Sequence, residues 1–80
     1  VVAPGQALQA AKHWAAQIQE CAPISVRASK QAVYRGLNES TLEAAVNLQY
    51  SEHQKMNQSQ DYIEGPKAFA EKRAPVWQNR

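Results

Sequence analysis

An all-α fold of four to five short helices is predicted by three observations. Apolar residues recur at helical spacing from Gln6 onward, and Pro and Gly punctuate the chain at intervals suited to short helices. No alternating strand pattern extends beyond the opening Val1-Val2-Ala3. A chain of 80 residues makes one small domain, and domains of that size bury only about 60% of their unfolded surface. Its 44% hydrophobic and 20% charged residues are those of a globular chain rather than a disordered one. Mean hydropathy is low at -0.61, and the aromatics are few: Trp14, Tyr34, Tyr50, Tyr62, Phe69 and Trp77. A core resting on Ala, Leu, Val and Ile is small, so the domain is expected to pair with copies of itself or to lean on further chain.

Each helix has its own signals. Pro4-Gly5 precedes a first helix over Gln6 to Cys21, whose stripe is Leu8, Ala11, Ala15, Ile18 and Ala22, with Ala7, Trp14 and Cys21 on an overlapping row. Pro23 ends it and suits the first turn of the next helix. That second helix is expected over Ile24 to Arg35, with Val26, Val33 and Leu37 on its core side, Ala28 and Ala32 as small contacts, and Gly36 closing it in a left-handed conformation. Ser40 with Glu43 has the form of a capping box, which predicts a third helix from Thr41 to about Met56. Ser59 can cap a short fourth helix over Gln60 to Glu64, ended by Gly65. Pro66 then opens a last helix through Phe69 to about Arg73, stopped by Pro75.

Charge and motif content exclude several chemistries. A net charge of +2 is too small to point to nucleic acid, and the basic residues are scattered. A recognition helix carrying Arg27, Lys30 and Arg35 is the DNA-binding alternative. Only the tail is locally basic: Lys67, Lys72, Arg73 and Arg80 against Glu71 give it +3. No apolar run reaches the 18 or so residues of a membrane helix, so no membrane partner is expected. One cysteine, Cys21, forms no internal disulfide. His13, Cys21 and His53 match no zinc spacing, and the three glycines are isolated rather than gathered in a phosphate loop, so no metal is expected. Glu52 lies on an apolar row of the third helix, either pairing at a helix joint or acting as an acid/base. Asp61, in the first turn of the fourth, is favoured by the helix dipole.

From Ser59 onward one pattern stands out. Ser59-x-Asp61-x-x-Glu64-Gly65 is followed by Ala68-Phe69-x-Glu71-Lys72-Arg73-x-Pro75 and the aromatic Trp77. This block resembles the C-terminal end of the crotonase (enoyl-CoA hydratase/isomerase) family. Upstream, Val1-Val2 resembles the end of a strand leaving that family's core. Ala11 to Pro23, Ser29-Lys30 and Glu52 are similar to its helical features.

The resemblance implies the C-terminal helical domain of an enzyme acting on acyl-CoA thioesters in cytoplasmic fatty-acid or related metabolism. The family's oxyanion hole and glutamates lie in an N-terminal spiral core that matches nothing here, so no catalytic residue is assigned and the segment alone is expected to be inert. The helical region of the family serves trimer assembly and covers the CoA site. It therefore implies a homo-oligomer (trimer or hexamer), no covalently bound cofactor, and CoA contact through Phe69 and Lys72. For Phe69 the alternative is core packing; for Lys72 it is a solvated surface position. Arg73 is left to pair with Glu64 or Asp61. For the chain as a whole, the alternative is an independent helical interaction module. As a piece of that larger fold, the helices are expected to expose an apolar face and to self-associate in isolation.

Overall fold

A computed structural model describes residues 1–80. Five helices follow one another: α1 (Ala7–Gln19), α2 (Pro23–Gly36), α3 (Leu42–Asn47), α4 (Ser51–Asn57) and α5 (Gln60–Ala70). The all-α class holds. Val1 and Val2 form no strand and are exposed, since an extended segment needs a neighbouring strand for its ladder and the chain supplies none.

Local signals placed several boundaries. Pro23 is the first residue of α2, where its missing N–H costs nothing. Ser59 caps α5, its Oγ accepting the Tyr62 N–H at 3.1 Å. The cap of α3 is shifted by one residue from the expected box: Thr41, not Ser40, accepts the Ala44 N–H at 3.0 Å. Gly36 is the last residue of α2, but its φ is not left-handed. The glycine serves close approach instead. A Cβ there would lie 3.3 Å from the Tyr50 hydroxyl.

Two elements depart from expectation for tertiary reasons. The single helix anticipated over residues 41–56 breaks at Leu48-Gln49-Tyr50 into α3 and α4. Each broken end finds a partner elsewhere. Tyr50 Oη donates to the Ala45 carbonyl at 2.7 Å, satisfying the end of α3. Gln31 of α2 then caps α4, its Oε1 accepting from Glu52 N at 2.9 Å and its Nε2 donating to Ser51 Oγ at 3.0 Å.

Conversely, Gly65-Pro66 does not divide the last segment, and α5 runs straight through it. Proline inside a helix costs about 3 kcal/mol, partly through its clash with the preceding residue's Cβ. Gly65 has no Cβ to clash. It also admits the Trp77 indole, 3.4 Å from where a Cβ would stand.

The core is small and lies along α2 and α5. Buried apolar residues are Ala22, Ile24, Ala28 and Ala68. Ile24 and Ala28, one turn apart, carry the inner face of α2; Val33 and Leu37, expected there, are exposed. α2 packs chiefly on α4, with Ser25 Oγ 3.4 Å from Met56 Sδ. α1 buries no residue, leaving Leu8, Trp14 and Ile18 open to solvent. The molecule is a plate of 41 × 40 × 18 Å. Its radius of gyration, 15.9 Å, exceeds the roughly 12 Å of a compact chain this long. Its surface of 6633 Å² exceeds the roughly 4,800 Å² expected for the mass. No helix is long and apolar enough to cross a membrane.

Candidate functional site at the end of the last helix

Residues 71–80 turn back along α5, and the hydrogen bonds that hold them define the site. At the C-terminus of α5 the Lys72 N–H donates to the Phe69 carbonyl and the Arg73 N–H to the Ala68 carbonyl, both at 3.1 Å. This paired closure is a Schellman motif with Lys72 at its left-handed position, φ 55°. Glycine is usual there, because a side chain costs about 1–2 kcal/mol in that conformation. A lysine is held where a glycine would be easier.

Arg73 is then locked. Its guanidinium grips Glu64 with two bonds, 2.6 and 3.0 Å, and donates to Glu71 at 2.5 Å. Glu64 also accepts the Val76 N–H at 2.9 Å. The Arg73 bonds and the Val76 N–H hold the Glu64 carboxyl well below its ordinary value of 4.5, at about 2. The bonds to Glu64 and Glu71 in turn push Arg73 upward. Of the two partners left open for Arg73, Glu64 is the one used.

Beyond Val76, Asp61 takes over. It is 4% exposed, and its two carboxylate oxygens accept the N–H groups of Gln78 and Asn79, each at 2.8 Å. Its own N–H donates to the Arg80 carbonyl at 3.0 Å. Trp77 Nε1 donates to the Glu20 carbonyl at 2.9 Å, and Arg27 to Asn79 Oδ1 at 2.7 Å, tying the tail to the α1–α2 joint. The helix dipole alone under-describes Asp61. Its burial by the tail was not visible in spacing, although its place in the Ser59-x-Asp61 pattern was a signal.

The two anticipated contact residues come together at the turn. Phe69 is 88% exposed and is not packed within these 80 residues. Lys72 is exposed and forms no ion pair. The tail's positive field is weaker than its own sequence suggests, because Glu64 and Asp61 pack against it. Lys67, Lys72 and Arg80 remain unpaired, while Arg73 is consumed.

Other candidates fall elsewhere. Glu52 pairs with Lys55 at 3.2 Å within α4. Of the basic residues of α2, Arg27 is spent on Asn79, and Lys30 lies 5.8 Å from the centre of the Tyr34 ring. No group of three or more His, Cys, Asp or Glu side chains is gathered in a way that could hold a metal. Cys21 is exposed and unpaired.

The whole chain, residues 1–80, matches the family profile described as enoyl-CoA hydratase/isomerase. It is 36% identical to carnitinyl-CoA dehydratase of Salmonella typhi and 37% identical to that of Proteus mirabilis, in each case over 100% of this chain and 32% of the relative. Among solved structures it resembles an enoyl-CoA hydratase/isomerase from Mycobacterium paratuberculosis (TM-score 0.85, 35% identity, 99% of this chain and 31% of that one). A probable enoyl-CoA hydratase/isomerase from Mycobacterium abscessus gives a TM-score of 0.80 at 40% identity, again over 99% of this chain and 31% of that one. The chain thus spans about a third of the length of the relatives it matches.

Proposed function

The chain belongs to the enoyl-CoA hydratase/isomerase family, and we propose that it serves there as the C-terminal helical domain, covering a bound CoA thioester and joining subunits. The observation that carries this reading is the pairing at the end of α5. An aromatic face open to solvent and an unpaired ammonium lie three residues apart on one turn. Phe69 offers a surface on which adenine can stack, and Lys72 a point charge for phosphate. The relatives are named for a CoA substrate, carnitinyl-CoA, which fits that ligand class. In this reading the acid/base groups stand outside these 80 residues, which themselves perform no chemistry, and the domain works in the cytoplasm.

Assembly is supported by what α1, α2 and α3 leave open. Leu8, Trp14, Ile18, Val33, Leu37, Leu42 and Val46 are all exposed, more apolar side chain than a monomer ordinarily shows. A trimer or hexamer of the full chain accounts for that surface. The open faces equally fit an independent interaction module, and CoA separates the two. Calorimetric titration of CoA into the full chain is expected to give affinity that falls about tenfold for Phe69→Ala and again for Lys72→Ala. Unchanged affinity in both variants would leave the interaction module as the better reading.

A further inference from the structure

Resting on the reading of Lys72 as a CoA contact, we infer that Glu64 and Arg73 are positioning residues for the ligand: they hold Lys72 in its left-handed conformation and keep its ammonium unpaired. Neither touches the ligand in this arrangement. Two observations carry the inference.

Lys72 sits between two fixed points. On one side α5 closes through the Phe69 and Ala68 carbonyls. On the other, Arg73 is anchored to a carboxylate nine residues back along the same helix, and that carboxylate also holds the Val76 N–H. A residue other than glycine stays at φ 55° only when its surroundings over-determine it. The Glu64 carboxylate supplies the determination from the C-terminal side.

The charge arrangement points the same way. Glu71 is the immediate neighbour of Lys72 and could neutralise it, yet its carboxylate is taken by Arg73. Arg73 thus draws off both nearby carboxylates, Glu64 and Glu71, leaving Lys72 the one unpaired cation of the Glu71-Lys72-Arg73 triplet. The fork geometry of a guanidinium is what permits this double engagement. A lysine at residue 73 would provide the charge without the two-pronged grip.

A double-mutant cycle on the full chain tests it, with CoA as the probe and its dissociation constant read by calorimetry. Glu64→Gln is expected to weaken CoA binding about threefold to tenfold in the otherwise unchanged chain, and to change it little in the Lys72→Ala background. Arg73→Lys, a milder variant at a half-open position, is expected to show the same pattern at smaller amplitude and covers the case in which Glu64→Gln fails to fold. Loss of affinity of equal size in both backgrounds means a general structural role, and overturns the inference. So does full binding by Glu64→Gln and Arg73→Lys where Lys72→Ala binds poorly. If Lys72→Ala itself binds CoA normally, the contact fails, and the positioning role falls with it.

Discussion

Lys72 is the residue at which backbone stability and the proposed CoA contact pull apart most clearly. Its left-handed backbone costs energy that glycine would not incur. Lys72→Gly is therefore expected to stabilise the chain by about 1 kcal/mol, read as a higher urea midpoint, while lowering its affinity for CoA. A stabilised variant with undiminished binding would show that the lysine is incidental. Asp61 is the opposite case, a buried carboxylate whose only visible partners are in the tail. Asp61→Ala strands two N–H groups and is expected to cost about 2–3 kcal/mol in the same unfolding measurement. Glu64 sets the acid response. Its folded value is depressed to about 2 from 4.5, so its contribution is complete above pH 4.5 and disappears as the pH falls toward 2. Over that window the unchanged chain is expected to lose more stability than Glu64→Gln, whose residue 64 does not titrate. Parallel acid-unfolding curves would contradict this.

At the scale of the element, the joint between α3 and α4 depends on side chains from elsewhere. Gln31→Ala removes the cap that α2 provides to α4 and is expected to cost about 1 kcal/mol, with faster amide exchange at Glu52. The same joint marks how far the sequence could be read. Pro23 at the start of α2 and Ser59 at the cap of α5 act on backbone within three residues, and both were legible. The break at Leu48-Gln49-Tyr50 was not, because no Gly or Pro marks it. It is stabilised by Tyr50 reaching Ala45 and by Gln31 reaching across from another helix. The unbroken α5 misleads in the other direction. Gly65-Pro66 reads as a stop, but the absent Cβ accommodates both the proline ring and the Trp77 indole. At the site, Phe69 and Lys72 came from a motif, whereas the grip of Arg73 on Glu64 was one of two open pairings until the turn was seen.

The whole molecule is a thin plate whose apolar side chains outnumber the places to bury them. Its helices, matched over about a third of the length of related enzymes, leave much of their apolar side chain uncovered. The full chain is accordingly expected to sediment as an oligomer in analytical ultracentrifugation. The tail folds back on α5 so that Phe69 and Lys72 share one exposed turn, and on the proposed reading this is where CoA is met. The most direct test is a crystal structure of the full chain grown with CoA. The adenine is expected against the Phe69 ring, with a phosphate within hydrogen-bond reach of Lys72 Nζ. CoA bound elsewhere, with both side chains packed into protein, would contradict the account.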